Sequence, residues 1–341
     1  MATLAVTNPT LLDLARVTDP DGSIAAVVEI LNETNEVLAD MTWIEGNLPT
    51  GHRSTVRTGI PTPTWRKLYG GVQPNKSTTV QVTDNTGMLE AYAEVDKALA
   101  DLNGNTAAFR LQEDRPHIEG MNQEIVDTLF YGDEATEPEA FTGLSARFAN
   151  LTADANSDNV IDGGGSGSDN ASIWLIVWGP NTIHGIIPKG STAGLQVHDK
   201  GQVTLEDASG GSNSGRMEAY RTHYRWDAGL TVRDWRYVVR ISNIDKSALS
   251  TVFNSGVFTS PSAHLPDLMF QAMRLVPNLS AGRPAFYMSR GTMTNVMQQA
   301  AAATVGSTLM SENVGGKIVT SMHGIPMRRC DSLSADEAAL T

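Results

Sequence analysis

The sequence is short of cysteine, of basic residues and of long apolar runs. One cysteine in 341 residues excludes an internal disulfide framework and favours a reducing, intracellular environment. No stretch approaches the roughly 20 apolar residues of a membrane span, and no basic segment precedes an apolar one at the N-terminus, so neither a membrane partner nor a secretory signal is expected. Against 38 acidic side chains there are only 25 basic ones, and the net charge of −13 argues against a general nucleic-acid binder. We expect a soluble globular chain made in the cytoplasm.

Sequence motifs for catalysis and cofactor binding are also missing. No two of the seven histidines lie three or four residues apart, so the sequence holds no helical metal-binding pair. The two glycine-rich breaks, 163–168 and 209–215, lead into Asp169 and Arg216 instead of the lysine and hydroxyl of a phosphate-binding loop. Neither a G-x-G-x-x-G nor a G-x-S-x-G pattern occurs. The sequence therefore predicts no cofactor and no enzyme.

Residues 154–162 are the local motif that comes nearest to a cation site. From Asp154 onward, oxygen-bearing side chains alternate along the chain, as they do in calcium-binding loops. The pattern fails at two positions, because Asn159 replaces the glycine of the sharp turn and Gly165 replaces the bidentate glutamate. A polar surface loop is the simpler interpretation. A calcium-dependent hydrolase or lectin-like protein is kept as an alternative of a different class.

Turn residues separate an N-terminal arm and a β-rich excursion from the rest of the chain. Residues 1–45 show helical spacing but too few apolar residues for a core, so we expect an arm that packs on another surface. From 46 to 87, glycine and proline interrupt two short β-prone runs, Ser54–Thr58 and Ser77–Thr83. Because solvated β-edges invite association, we expect this two-stranded excursion to lie on a partner.

The remaining residues predict an α+β body. A long helix is expected over about 106–130, kinked or split by Pro116, and Thr152–Ser172 is predicted to be a loop. Ser172–Trp178 is a continuous apolar run, which is typical of a strand buried on both faces. Further predicted elements are helices at Pro266–Val276 and Thr292–Ala303 and a strand-turn segment at Lys317–Cys330.

The strand-rich stretch Arg216–Ile241 interleaves arginines with aromatic residues. Such interleaving can bind single-stranded nucleic acid by stacking. Because Asp227 and Asp234 offer carboxylate partners among apolar neighbours, ion pairs within or between chains are the preferred interpretation. The arginines that we expect at contacts between subunits are Arg221, Arg225, Arg233 and Arg236.

Taken in order, these segments resemble the major capsid proteins of tailed bacteriophages with the Hong Kong 97-type fold. Tyr131–Leu144 resembles the turn that follows the spine helix in that family, and Met322–Met327 resembles its small glycine-proline strand. Arg283–Ser289, with the helix from Thr292, resembles a strand and helix of the axial domain. Trp226–Arg240 is similar to capsid proteins of podovirus-type phages. The resemblance extends over essentially the whole chain.

The resemblance implies an α+β capsid fold divided into five parts. These are an N-terminal arm (1–45), an E-loop-like excursion (46–87), a peripheral or P domain (88–245), an axial or A-domain-like region (246–330) and a C-terminal tail (331–341). The P domain would hold the spine helix, about 106–130, and long strands at about 173–241. In that family the long peripheral strands usually follow the axial domain, so a reordered segment topology is expected here.

The resemblance also implies a structural function and a set of partners. It implies a major capsid protein that self-assembles as hexamers and pentamers into the icosahedral shell around double-stranded phage DNA. The expected partners are other copies of the chain, a separate scaffolding protein, a portal, a decoration or cement protein, and DNA bound without sequence specificity. The expected location is the virion capsid, after synthesis and assembly in the bacterial host cytoplasm. An encapsulin-like compartment shell is the alternative.

At the E-loop-like excursion, four residues are expected at contacts between subunits: Trp65, Arg66, Lys67 and Tyr69. They lie between the two predicted strands, where the excursion would reach furthest from its own chain.

Overall fold

A computed structural model describes most of the chain. The described residues are 33, 35–102, 104, 106–206, 215–247, 249, 264–302, 309–314, 317–334 and 336–341. They form two compact units. The first unit contains the described parts of 1–33, 88–125 and 192–227, and the second contains the described parts of 34–87, 126–191 and 228–341.

Within the described residues, the α-helices are α1 (Val37–Asp40), α2 (Lys97–Asp101), α3 (Thr106–Tyr131), α4 (Leu144–Arg147), α5 (Leu265–Leu275) and α6 (Arg290–Ala302). Short 3-10 helices lie at Ala155–Asn159, Trp235–Tyr237 and Leu279–Ala281. None of the described helices has the length and apolar character that crossing a membrane requires. The Asp96 carboxylate caps α2 by accepting a hydrogen bond from the Ala98 amide at 2.7 Å.

The strands of the described residues are β1 (Trp43–Glu45), β2 (Gly51–Gly59), β3 (Thr78–Asp96), β4 (Val160–Asp162), β5 (Asn170–Trp178), β6 (Ile183–Ile187), β7 (Gln196–Glu206), β8 (Arg216–Val232), β9 (Val238–Asp245), β10 (Arg283–Met288), β11 (Leu309–Val314), β12 (Lys317–Met322) and β13 (Ile325–Arg329).

The first unit combines the greater part of the long helix α3 with long strands. β7 and β8 form an antiparallel hairpin whose register runs from Gln196 opposite Arg225 to Glu206 opposite Arg216. Two small apolar clusters hold this unit together. They contain Val95, Ala100 and Phe109, and Ala93, Met121 and Tyr224. Clusters of this size leave the greater part of the hairpin in contact with water.

The second unit is built around β5, whose nine residues are all buried. β5 pairs with β9 and β10 in antiparallel fashion and with β6 in parallel, and the sheet continues from β10 through β13 and β12 to β11. Its main apolar core combines side chains of α5 and α6 with side chains of this sheet, among them Met269 and Val296 from the helices and Leu175 and Phe286 from the strands. A strand covered on both faces explains the unbroken apolar run in the sequence.

The excursion emerges from the second unit as an antiparallel pair. β2 and β3 run in register from Gly51 opposite Asn85 to Gly59 opposite Thr78. Residues 60–77 between the two strands form an extended connection with a single turn near Tyr69. The excursion that the glycine and proline pattern predicts is therefore present, and β3 extends well beyond it.

Most predicted elements are confirmed, one prediction is wrong, and of the kink or split predicted at Pro116 the split does not occur. The segment Thr152–Ser172 is not a plain loop, because it contains a 3-10 helix, β4 and the start of β5. β4 pairs with the remote strand β9, which a three-residue run cannot reveal. Helix α3 is not split at Pro116, since that residue is exposed and water can satisfy the carbonyl that loses its partner.

The α+β fold class is confirmed by the described strands and helices. The predicted helix within the first forty residues lies, apart from α1, outside the described residues. The division into five parts and the reordering of segments stay predictions.

Candidate self-association surface

The tip of the excursion, residues 60–77, presents large apolar side chains to water. Trp65 and Tyr69 are each 101% exposed, and Ile60 and Leu68 are 85% and 86% exposed. Four such residues within ten positions form an apolar surface that the described residues leave exposed. Exposed apolar sets of this kind mark interaction sites. The tip is therefore the leading candidate for a contact with another molecule.

A backbone turn shapes this tip. Tyr69 has a φ of 63°, in the left-handed region that side chains other than glycine seldom adopt. The Gly70 amide donates to the Lys67 carbonyl at 3.0 Å and closes the turn. The turn brings the four predicted contact residues Trp65, Arg66, Lys67 and Tyr69 together at the end of the excursion. Their contacts with other subunits stay a prediction.

The excursion also differs from the rest of the chain in charge. Residues 46–87 carry five basic side chains and one acidic side chain, a net charge of +4. The remaining residues carry 20 basic and 37 acidic side chains, a net charge of −17. A basic, aromatic tip on an acidic protein is electrostatically complementary to other copies of the same chain.

Polar contacts fix the base of the excursion, residues 46–59 and 78–87, to other segments of the second unit. Arg147 forms an ion pair with Asp84 at 2.9 Å, and the Asp84 side chain is almost fully buried. The Asn85 amide donates to the Glu134 carboxylate, and the Gly46 amide donates to the Ile187 carbonyl at 2.7 Å. The base is therefore anchored, while most residues of the tip are exposed.

Two of the predicted arginines lie in the first unit, where each has a partner in its own chain. Arg221 binds the Glu94 carboxylate at 2.6 Å and lies over the Tyr92 ring. Arg225 donates to Asp227 at 2.9 Å, and this hydrogen bond, together with the charge of Asp227, raises the pKa of Arg225. The ion-pair interpretation is confirmed within the chain, whereas contacts of these arginines between subunits stay a prediction.

The other two predicted arginines lie in the second unit. Arg236 binds both carboxylate oxygens of Asp234, at 2.9 and 2.7 Å. The hydrogen bond and the charge of Asp234 raise the pKa of Arg236. Arg233 donates to the Pro180 carbonyl at 3.0 Å. For these residues too, contacts between subunits stay a prediction.

The candidate cation loop uses its polar groups for internal hydrogen bonds. Asp154 forms a capping box with Ser157 at the start of the 3-10 helix. Asn159 donates to the Val238 carbonyl at 2.8 Å, and Asp162 accepts from Asn243 at 2.9 Å. Across the described ranges, no group of three or more His, Cys, Asp or Glu side chains is placed to hold a metal ion. The loop joins neighbouring segments of the second unit.

Two polar clusters in the second unit join residues that are remote in sequence. In one, Arg240 and Glu337 form an ion pair at 2.8 Å that is almost completely buried. In the other, the rings of His52 and His184 meet at 5.7 Å between centroids. The partners are about a hundred residues or more apart in sequence, so neither spacing nor periodicity could have revealed them.

Comparisons with known proteins are consistent with these observations. A family model described as major capsid protein GP7 matches residues 19–341. A chain in the cryo-EM structure of bacteriophage Epsilon15 is 36% identical to this chain with a TM-score of 0.80, and the match covers 100% of each chain. No curated protein sequence matches this chain.

More distant capsid structures are also similar. The capsid of bacteriophage JBD30 matches at 10% identity with a TM-score of 0.42, covering 97% of this chain and 96% of that one. The SrpI encapsulin complex of Synechococcus elongatus PCC 7942 matches at 10% identity with a TM-score of 0.41, covering 72% of this chain and 93% of that one. Scores this low support no conclusion about this chain.

Proposed function

Because the chain belongs to the major capsid protein GP7 family, we propose that it is a non-enzymatic subunit that assembles as hexamers and pentamers. The family match and the similarity to the Epsilon15 chain identify a phage major capsid protein of the icosahedral virion shell, with the Hong Kong 97-type fold. In this proposal the excursion of each copy lies on a neighbouring copy. Shell formation is then the whole activity of the chain.

The exposed tip is the observation that carries this proposal. Trp65 and Tyr69 project from an anchored base and are fully exposed among the described residues. Burying a large aromatic side chain removes roughly 150–250 Å² from water, which is worth about 4–6 kcal/mol before the costs of association. Two aromatic side chains per subunit, repeated over every contact in a shell, supply a substantial driving force for assembly.

A double variant at the tip tests this proposal. Trp65→Ser with Tyr69→Ser removes the apolar contact without altering residues that are buried in the subunit. We expect wild-type chains to form shells or capsomer-sized rings in negative-stain electron microscopy and light scattering. The double variant should remain as smaller species with an unchanged melting temperature.

Leu102→Ser is the matched control, since Leu102 is also exposed but lies outside the excursion. This control should assemble like the wild type. Assembly of the tip variant at wild-type concentrations would show that the tip is not the main contact. A wild-type chain that stays monomeric even when it is co-expressed with candidate scaffolding proteins would refute the shell proposal.

The remaining partners belong to the same proposal. We propose assembly in the bacterial host cytoplasm with a separate scaffolding protein, a portal and a decoration or cement protein, as in the phages that the chain resembles. The net charge of −13 supports a container that does not adhere to its DNA, because like charges repel during packaging. Particle diameter and the nucleic-acid content of purified shells would distinguish a phage capsid from a compartment that encloses a cargo protein.

A further inference from the structure

A pair of histidines, of which His184 is buried and His52 is partly buried, lies at the base of the excursion. His184, on β6, is 1% exposed, and neither of its ring nitrogens makes a well-formed hydrogen bond to a described residue. The His52 ring, on β2, meets it edge-on at 5.7 Å between centroids, and its Nδ1 atom is also buried without a partner. A buried nitrogen without a partner loses the hydrogen bonds that it makes in water, so this arrangement needs an explanation beyond packing.

The neighbouring polar groups do not compensate for these losses. Across the strand ladders, His52 lies opposite Asp84 and His184 lies opposite Thr231. One carboxylate oxygen of Asp84 is bound by Arg147, while the other oxygen and the Thr231 hydroxyl are buried and have no hydrogen-bond partner among the described residues. The cluster therefore combines two imidazoles with polar atoms that find no partner among the described residues.

Charges around the pair oppose protonation. Burial, followed by the neighbouring His52 and the Arg233 guanidinium, lowers the pKa of His184 to about 4, although an interaction with the Gly179 backbone raises it. Burial and Arg233 also lower the pKa of His52, against the attraction of Asp84. The titratable and charged groups of the elements around the pair are His52, Asp84, Arg147, Arg233 and Glu45, of which Glu45 on β1 is exposed and accepts from the Gly190 amide.

The histidine pair lies where the excursion contacts β6, so protonation of the pair would weaken this contact. β2 pairs with β3 along the excursion, and the two histidines are a side-chain contact between β2 and β6 of the body. A proton on either imidazole puts a positive charge into a buried site that already faces Arg233. Protonation of both imidazoles adds electrostatic repulsion between β2 and β6.

We propose that His52 and His184 form a proton-operated latch that holds the base of the excursion to the body at neutral pH and releases it in acid. Both imidazoles are neutral when the latch is closed. On acidification each takes a proton from solvent, and the paired charges drive β2 and the adjoining part of β3 away from β6. The latch adds a control of excursion orientation to the contact function of the tip.

The sign of the pH dependence follows from linkage. A histidine whose pKa is lower in the closed state than in the open state binds more protons when open, so the closed state loses stability as pH falls. With a pKa of about 4 when closed and an ordinary value near 6.5 when open, opening becomes about tenfold or more favourable between pH 6.5 and pH 5.

Hydrogen exchange of the full chain, read by mass spectrometry, tests the latch. After correction for intrinsic exchange, peptides within 46–59 and 78–87 should lose about tenfold or more of their protection between pH 6.5 and pH 5. Peptides from β5 should keep their protection over the same range. The readout does not need assembled shells, so failure of the latch is distinguishable from failure of the shell proposal.

Variants identify the groups responsible. His184→Phe keeps a planar ring but cannot titrate, and we expect it to remove most of the pH dependence at the base. His198→Gln changes an exposed histidine of the first unit and should leave the dependence unchanged. If His184→Phe does not fold, His52→Phe makes the same test, with an expected loss of protection smaller than in the wild type.

Wild-type protection that is constant between pH 6.5 and pH 5 would overturn the proposal. An unchanged pH dependence in a folded His184→Phe or His52→Phe variant would overturn it equally.

Discussion

At the scale of single residues, Glu337 near the C-terminus ties together remote parts of the second unit. Its carboxylate accepts hydrogen bonds from Arg240 at 2.8 Å and from the Tyr131 hydroxyl at 2.6 Å, and the Arg240 guanidinium also lies over the Trp174 ring. Burial, followed by the charge of Glu337, raises the pKa of Tyr131, which therefore stays protonated and donates. Because Arg240 is 4% exposed and Glu337 is 9% exposed, removing one partner leaves a buried charge uncompensated.

Glu337→Gln should lower the free energy of unfolding by about 3 kcal/mol or more, since it leaves the buried Arg240 charge without a counterion. The adjacent Asp336 offers a matched control, because it pairs with Lys246 where the side chains are 77% and 49% exposed. Asp336→Asn should change stability by less than about 1 kcal/mol. Urea unfolding followed by fluorescence measures both values, and equal effects would contradict the assignment.

At the scale of elements, the end of the long helix depends on close approach of backbone. The Gly132 amide donates to the Thr128 carbonyl at 2.9 Å, and the Gly143 amide donates to the Gly132 carbonyl at 2.8 Å. A Cβ atom on Gly143 would lie 2.5 Å from the Thr128 carbonyl oxygen and 2.8 Å from that of Leu129. These are backbone atoms, so a larger residue can be accommodated only by moving the helix end or the turn.

Gly143→Ala should therefore lower the free energy of unfolding by roughly 1–3 kcal/mol, the usual range for overpacking. Gly120→Ala, inside α3, is the control, because an added Cβ at Gly120 meets no neighbouring atom of the described residues within 4 Å. In an open helix interior, alanine in place of glycine should stabilise by about 0.5–1 kcal/mol. Thermal and urea unfolding should show shifts of opposite sign; two shifts of the same sign would refute this account of the turn.

At the scale of the whole molecule, the separation of charge along the sequence bears on assembly. The excursion carries a net charge of +4 and the rest of the chain −17. Copies of the chain repel one another overall, so the basic tip supplies attraction that the rest of the molecule does not. Exposed charges are screened within about 10 Å at 0.1 M salt, which makes this attraction dependent on ionic strength.

Arg66→Glu with Lys67→Glu should raise the critical concentration for assembly, because it reverses the charge at the tip. Lys200→Glu, an exposed change outside the excursion, is the control and should have a much smaller effect. Light scattering over a series of salt concentrations measures the difference, which should diminish as screening increases. If the tip and control variants assemble alike, charge at the tip does not direct association.

Some elements of the structure could be predicted from the sequence because their signals are local. The nine buried residues of β5 appear in the sequence as an apolar run. The glycines and prolines between Gly46 and Gly87 delimit two β-prone runs, which predict β2 and β3. β4 was missed because three residues carry no periodicity and its stability comes from pairing with β9. The tip residues could be proposed as contacts between subunits because they lie between two predicted strands. Their degree of exposure could not be predicted from the sequence.

The sequence by itself determined the α+β class, the two-stranded excursion and the absence of recognised catalytic motifs. These depend on residue types and on spacing over a few turns or strands, which local chain geometry converts directly into structure. Only the tertiary structure decided that Glu337 reaches Arg240 and that His184 lies buried against His52. Burial and pairing between remote residues set these interactions, because the surroundings of a charge or an imidazole determine its pKa and the free energy of burying it.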